Sequence, residues 1–114
     1  TLQFIHFSRL YLTCGNSENT LPKAAHLNGL CDVIIIDGGH SFQTASKDIL
    51  NFRAWANPTN HLVIIDDVPA NSGVSKAWDQ AKKMGQIREL FQCVMEPSRG
   101  FAVGIYVGNK TTTH

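Results

Sequence analysis

Two apolar runs that end in acidic residues constrain the fold of this chain more than any other feature. The first, DVIIID, extends from Asp32 to Asp37 and continues as GGHSF, and the second, LVIIDD, extends from Leu62 to Asp67. Continuous apolar runs rich in β-branched residues are typical of parallel strands that are covered on both faces. We therefore expect both runs to be strands of an α/β sheet, each followed by a polar loop.

Helical periodicity follows each of these runs. Apolar side chains between residues 42 and 56 recur at helical spacing, with Ser41 as the predicted N-cap and Asn57-Pro58 as the stop signal. A second helix is predicted from Gly73 to Met84, with Gly85 in the C-terminal capping position. The two strand and helix units argue for a sheet with flanking helices.

The two ends of the sequence extend this pattern. A predicted strand from Leu10 to Cys14 and a predicted helix from Glu18 to Leu27 form a further unit, and repeated units of this kind favour parallel crossover connections. Alternation from Phe91 to Met95 and an apolar run from Phe101 to Val107 predict an antiparallel hairpin at the sheet edge. A chain of 114 residues has room for one domain.

Composition narrows the class of protein. A formal net charge of +1 without a basic stripe argues against nucleic acid as a partner. The apolar runs are far shorter than the roughly 20 residues needed to cross a bilayer, so we expect no membrane partner and a cytoplasmic location. The odd set of Cys14, Cys31 and Cys93 fits reduced core thiols better than disulfides or a zinc site. Trp55 and Trp78 fall in helical stripes and are expected to pack in the core.

Three polar loops are expected to share one rim of the sheet, because ligands of open parallel sheets bind beyond the carboxyl ends of the strands. These loops are Gly15-Asn16-Ser17, Asp37-Gly38-Gly39-His40 and Asp66-Asp67. Carboxylates that end neighbouring strands, about 4.8 Å apart, repel one another unless a cation relieves them. A hard divalent ion such as Mg²⁺ suits such oxygen ligands. Alternatively, the acids only cap the following helices, and His40 only bonds a local carbonyl.

Five segments together resemble a known family. They are GNS, CDVIIIDGGHSFQTASKDI, LVIIDDV, GVSKAWDQAKKMG and RGFAVGIYV. Their succession resembles the C-terminal half of class I S-adenosylmethionine-dependent methyltransferases, of the branch with a DGxH motif and metal-dependent O-methylation, over residues 10–107. The resemblance implies a partial Rossmann-like class I methyltransferase sheet with parallel strands, flanking helices and a C-terminal antiparallel hairpin. Residues 1–114 would be a single methyltransferase-like domain that lacks the N-terminal glycine-rich cofactor-binding half.

The resemblance also implies contacts with S-adenosylmethionine. The implied cofactor-binding residues are Gly15, Asn16, Ser17, Asp37 and Gly38. In the family the first loop usually reads Gly-Asp-Ser, and its acid accepts a hydrogen bond from the adenine amino group. Asn16 departs from that pattern, although an amide oxygen can also accept such a bond.

The metal and the base map by motif in the same way. The family's ligands for Mg²⁺ or a similar divalent metal correspond to Asp37, Asp66 and Asp67, and its base corresponds to His40. A metal at that position would bind the hydroxyl of a small-molecule substrate and lower its pKa, and the histidine would accept the proton. This implies a metal-assisted O-methyltransferase, or a fragment of one.

Two other functions remain as alternatives. The family's glycine-rich turn and ribose-binding acid would precede the matched region, so the chain corresponds to about half of the cofactor pocket. A fragment of a longer enzyme, a second chain that completes the sheet, or lost cofactor binding would each explain this. The main alternative is therefore a catalytically inactive methyltransferase-like assembly or binding module, with homo-oligomers formed through the exposed sheet edge. A nucleotide hydrolase is disfavoured, because the sequence contains no GxxxxGK[ST] loop.

Overall fold

The described part of the chain is an α/β structure with one main sheet. The computed structural model describes residues 4–6, 11–13, 17, 28–66, 68, 72–96 and 99–108. In chain order the elements are β1 (Phe4–His6), β2 (Tyr11–Thr13), β3 (Val33–Ile36), α1 (Phe42–Phe52), a 3₁₀ turn (Arg53–Trp55), β4 (Leu62–Asp66), α2 (Gly73–Lys83), β5 (Ile87–Glu96) and β6 (Arg99–Tyr106). The expected α/β class is confirmed.

The main sheet is mixed and has the strand order β3-β4-β6-β5. β3 and β4 are parallel, with Ile36 opposite Ile65, whereas β6 runs antiparallel to both β4 and β5. The predicted antiparallel hairpin of β5 and β6 is therefore confirmed. Of the two hairpin strands only β5 lies at an edge of the sheet, because β6 inserts between β4 and β5, and β3 forms the opposite edge.

The prediction that the strand near Leu10 to Cys14 belongs to the parallel sheet is wrong. That segment forms β2, which pairs with β1 in an antiparallel, separate sheet of two strands. β1 and β2 are separated by four residues in the sequence, so bringing them together costs little entropy, whereas parallel pairing needs a crossover of a dozen or more residues. The helix predicted from Glu18 to Leu27 lies outside the described residues.

Local capping signals explain where α1 begins. The Thr44 backbone N–H donates a 3.1 Å hydrogen bond to Ser41 Oγ, so Ser41 is the N-cap that the sequence predicts. The helix ends at Phe52 and continues as the 3₁₀ turn, before the predicted stop at Asn57-Pro58.

α2 shows matching signals at both ends. Ser75 N–H donates a 2.9 Å bond to Ser72 Oγ at its start. At its end Gly85 has φ +75°, the left-handed conformation that glycine adopts readily, and Gln86 N–H donates to the Ala81 carbonyl. This pattern is a Schellman C-cap, and it confirms the predicted role of Gly85. None of the described helices is long and apolar enough to cross a membrane.

Both helices pack on the same face of the main sheet. The core joins residues of β3, β4, α1, α2, β5 and β6 with two residues outside these elements, Ala56 and Val68. The others are Ile34, Ile36, Ala45, Ile49, Val63, Ile65, Val74, Ala77, Trp78, Ala81, Ile87, Ala102 and Tyr106. Trp78 is fully buried, as predicted, and Trp55 is half-buried against the core, edge to face with Phe52. Cys31 and Cys93 are free, half-buried thiols, and Cys14 lies outside the described residues.

The other face of the sheet corrects a second expectation. Ile34 and Ile36 are buried, but Val33 is 53% exposed and Ile35 is 62% exposed. β3 was expected to be covered on both faces, and within the described part it is covered on one. The physical reason is that α1 and α2 lie on one side, so alternate residues of the strand have no covering layer.

Candidate functional site

The carboxyl ends of β3 and β4 bring two acids side by side. Ile36 pairs with Ile65 in the parallel register, so Asp37, the first residue after β3, and Asp66, the last residue of β4, follow paired positions of neighbouring strands. Neighbouring strands are about 4.8 Å apart. Both acids are exposed to solvent. The sequence expectation that these two carboxylates share one rim is met by this register.

A small crevice lies between the two strand ends and the helix layer. This rim crevice is lined by Ile36, Asp37, Gly38, Gly39, His40, Ala45, Ile65, Asp66 and Val74. His40 therefore lines the same crevice as the two acids, and none of the described lining residues is a lysine or arginine. The crevice volume is about 10 Å³, which suits a single water molecule or an ion.

The two glycines of the loop are explained by packing within the chain. A Cβ on Gly38 would lie 3.0 Å from Asp48 Oδ2, and a Cβ on Gly39 would lie 2.8 Å from Thr44 Cγ2. Side chains of α1 therefore occupy the space that a side chain at either position would need. Close approach of the loop to α1 accounts for the glycines without a ligand.

Asp48 is a buried acid at the back of this site, and sequence reasoning missed it. The Ser17 hydroxyl donates a 2.7 Å hydrogen bond to Asp48 Oδ1, and Asp48 is 2% exposed. The bond links Ser17, the described residue of the Gly15-Asn16-Ser17 motif, to the helix that supports Gly38. The sequence signal that could have identified Asp48 is its position next to Ile49, on the buried face of α1. An acid on a buried stripe points to a specific partner.

The structure groups some of the expected site residues and leaves others outside its described part. Asp37, Gly38, His40 and Asp66 line the rim crevice, and Ser17 reaches the site through Asp48. Gly15, Asn16 and Asp67 lie outside the described residues. Among the residues that are described, no three His, Cys, Asp or Glu side chains group as metal ligands.

The donor set at the rim suits a hard cation but the crevice does not suit a nucleotide-sized cofactor. Asp37 and Asp66 offer carboxylate oxygens from adjacent strands, which are the ligands that Mg²⁺ prefers. The mutual repulsion of the two carboxylates would also fall when a cation binds. A volume of about 10 Å³ is far too small for S-adenosylmethionine.

Two larger clefts lie away from the rim. One, of about 200 Å³, is a mainly apolar groove between α1 and α2. The other, of about 420 Å³, lies at the opposite end of the sheet and includes Arg53 and His61. His61 Nε2 accepts a 2.9 Å bond from Tyr106 N–H, and Arg53 Nη2 donates a 2.6 Å bond to the Val107 carbonyl. These polar groups hold the ends of strands and helices together, so the rim remains the candidate site.

Comparisons with protein-family models, with curated proteins and with solved structures give no match to this chain.

Proposed function

We propose that this chain is an S-adenosylmethionine-dependent O-methyltransferase, or a fragment of one, that uses a divalent metal to act on a small-molecule hydroxyl. The observation that carries the proposal is the parallel register of β3 and β4, which sets Asp37 beside Asp66. His40 lines the same crevice. Two carboxylates and an imidazole at one strand-end rim are the residue types that metal-assisted deprotonation of a hydroxyl requires.

Each residue has a distinct role in the proposed reaction. Asp37 and Asp66 would hold Mg²⁺ or a similar ion, with Asp67 as a third ligand. The ion would lower the pKa of the substrate hydroxyl, and His40 would accept the proton. S-adenosylmethionine supplies the methyl group when it is bound. The crevice formed by the described residues is too small for that cofactor, so further residues must complete its pocket.

A second candidate is a methyltransferase-like assembly or binding module without catalysis. The packing of Gly38 and Gly39 favours it, because α1 side chains account for both glycines. The apolar face of β3 that no described element covers favours it as well, since Val33 and Ile35 are more than half exposed. A metal and cofactor titration separates the two candidates.

The test measures the binding of two ligands to wild type and to Asp66→Asn. Mn²⁺ binding is followed by NMR, with Mn²⁺ as a paramagnetic probe, and S-adenosylmethionine binding is followed by calorimetry. Mn²⁺ is expected to broaden the amide signals of residues 37–40, and Asp66→Asn is expected to weaken its binding at least about tenfold, or about 1.4 kcal/mol. Asp79→Asn is the matched control, because it removes the same charge from an exposed site on α2.

The outcomes are distinct. The methyltransferase proposal is supported if Asp66→Asn loses Mn²⁺ binding, Asp79→Asn keeps it, and wild type binds S-adenosylmethionine. Equal Mn²⁺ binding in all three proteins contradicts the metal site. A well-folded chain that binds metal but no cofactor favours the assembly module for this chain.

A further inference from the structure

The larger of the two clefts away from the rim lies between the start of β4 and the end of β6. Its volume is about 420 Å³, which is within the range of small-molecule binding sites. Its apolar lining includes Ala56, Pro58, Ile105 and Val107, and Thr59 and Asn60 add polar groups. We call it the Arg53 cleft, because Arg53 also lines it. None of the described lining residues is an aspartate or a glutamate.

Arg53 uses only part of its hydrogen-bonding capacity within the described part of the chain. Its Nη2 donates a 2.6 Å hydrogen bond to the Val107 carbonyl, and its Cζ lies 6.0 Å from the centre of the Tyr106 ring. A guanidinium group carries five N–H donors. Among the described residues Arg53 makes no further hydrogen bond and no ion pair. A partly buried positive charge of this kind is stabilised when an anion binds beside it.

The contacts that Arg53 does make fix its position. Val107 directly follows the last residue of β6, and Tyr106 is buried in the core. The sheet therefore holds the guanidinium group in the cleft. Because the side chain is already ordered, little conformational entropy is lost when a ligand binds to it.

His61 adds no positive charge to the cleft in this arrangement. Its Nε2 accepts a 2.9 Å hydrogen bond from the Tyr106 N–H, and its Nδ1 lies 2.9 Å from the Asn57 carbonyl oxygen. A ring nitrogen that accepts a hydrogen bond carries no proton, so Nδ1 is the donor and the imidazole is neutral. Arg53 is therefore the single positive charge among the described residues that line the cleft.

We propose that the Arg53 cleft binds a small organic monocarboxylate, with the carboxylate on the guanidinium group and the apolar body against the apolar lining. A carboxylate accepts two parallel hydrogen bonds from one guanidinium group, and Arg53 keeps enough donors for such a pair after its bond to Val107. The single negative charge of a carboxylate matches the single positive charge of the cleft. A phosphate monoester brings about 1.5 to 2 negative charges and matches it less well.

A neutral ligand of the same shape suits the cleft less well than a carboxylate does. It would displace water from the guanidinium N–H groups without replacing the hydrogen bonds, and such a loss is larger for charged groups than for neutral ones. A carboxylate replaces those bonds with charge-assisted ones. We therefore expect an acid to bind more tightly than its own amide.

Amide NMR spectra of the whole chain test the site with defined probes. The ions acetate, benzoate and 3-phenylpropanoate share the carboxylate and differ in the apolar body. We expect 3-phenylpropanoate to bind with a dissociation constant of about 1 mM or less and to shift the signals of residues 53–61 and 105–108. Acetate lacks the apolar body and 3-phenylpropanamide lacks the charge, so each is expected to bind at least about tenfold more weakly. Phenyl phosphate is expected to bind more weakly than benzoate.

Arg53→Gln is expected to raise the dissociation constant of 3-phenylpropanoate at least about tenfold, because the charged donors are lost. Arg99→Gln is the matched control and should leave the affinity unchanged. Arg99 is exposed and is the first residue of β6, roughly 23 Å along the strand from Tyr106. Circular dichroism of each variant shows whether it is folded.

Asn60→Asp tests the charge argument without removing the bond between Arg53 and Val107. Asn60 is exposed and lines the cleft, so the substitution adds a negative charge there. We expect the affinity for 3-phenylpropanoate to fall about threefold or more at low ionic strength. The difference from wild type should shrink in about 0.5 M salt, because salt screens the added repulsion.

The proposal is overturned if none of the three acids shifts the signals of the cleft at about 10 mM. It is also overturned if the amide or phenyl phosphate binds as tightly as the matching acid, or if Arg53→Gln and Arg99→Gln bind the acid equally well. Shifts confined to residues 37–40 would place the acid at the rim and would contradict it too. The metal test uses Asp66 and the signals of residues 37–40, so either proposal can fail without the other.

Discussion

The Ser17 hydroxyl and the Asp48 carboxylate form a 2.7 Å hydrogen bond between residues 31 positions apart in the sequence. Asp48 is 2% exposed and lies against Gly38, so the bond fastens Ser17 to the helix beneath the candidate site. A buried carboxylate is costly unless hydrogen bonds compensate it. This contact therefore connects the stability of α1 to the geometry of the rim.

Asp48→Ala is expected to lower the free energy of unfolding by about 1 to 3 kcal/mol, because it leaves the Ser17 hydroxyl without its acceptor. Asp48→Asn should cost less, since an amide oxygen can still accept the bond. Urea unfolding at pH 7 measures both. Asp79→Ala, an exposed acid on α2, should stay within about 0.5 kcal/mol of wild type. An Asp48→Ala protein as stable as wild type would contradict this account.

Glu89 predicts a loss of stability in acid. Burial alone raises the pKa of Glu89, but hydrogen bonds from Trp78, Gln92 and Lys82, together with the Lys82 charge, outweigh it and hold the pKa below the usual 4.5. The folded state then binds protons less readily than the unfolded state. The stabilisation is complete above about pH 4.5 and is lost as the pH falls through the lower folded value.

The variant Glu89→Gln tests whether Glu89 causes the loss of stability in acid. At pH 7 it is expected to be less stable than wild type by about 1 to 3 kcal/mol, because a charged hydrogen-bond acceptor is lost. Its stability should also fall less steeply than that of wild type below pH 4.5. Urea titrations followed by tryptophan fluorescence measure this. Parallel pH profiles for the two proteins would assign the acid loss to other carboxylates.

The parts of the fold that sequence could predict are those set by neighbouring residues. Ser41 caps α1 and Gly85 ends α2 because the bonds they make or permit span three to five residues. The pairing of β2 with β1 could not be read in the same way. An apolar strand signal does not specify a partner, and here a short connection decided it.

The candidate site likewise has parts that the sequence could predict and parts that depend on tertiary packing. The acids that end β3 and β4 were predictable, because parallel strands in register must present their ends together. Asp48 was missed because its partner is Ser17, whose proximity depends on tertiary packing. The exposure of Val33 was also missed. An apolar run indicates that a strand tends to be buried, but it does not show which of its faces the helices cover.

Tyr106 predicts a loss of stability in alkali. Burial, aided by the negative charge of Asp48, raises the pKa of the Tyr106 hydroxyl despite the nearby Arg53 guanidinium. The hydroxyl donates a 2.5 Å bond to the Ile49 carbonyl. Because the folded pKa is raised, the stabilisation is complete below about pH 10, the usual tyrosine value, and is lost as the pH rises above it.

Absorbance titration of wild type and Tyr106→Phe checks the assignment. The folded wild type should show one tyrosine that ionises only well above pH 10, and the variant should lack it. The variant should also be less stable at pH 7 by about 1 kcal/mol, since the bond to Ile49 is lost. Ordinary ionisation of every tyrosine in the folded protein would contradict the prediction.

Gly73, the first residue of α2, packs against the loop that carries His40. A Cβ at this position would lie 2.6 Å from the His40 carbonyl oxygen and 2.7 Å from the Phe42 nitrogen, both backbone atoms that cannot rotate away. Gly73→Ala is therefore expected to destabilise the chain by about 1 to 3 kcal/mol, although alanine is the better helix former by about 1 kcal/mol. The amide signals of residues 39–42 should move in the same variant, because the loop must shift to accommodate the methyl group.

Gly108→Ala, where a Cβ would meet nothing within 4 Å, is the matched control and should change neither stability nor those signals. A stabilised Gly73→Ala protein would mean that helix propensity outweighs the contact, and that the loop bearing His40 is not held by the start of α2.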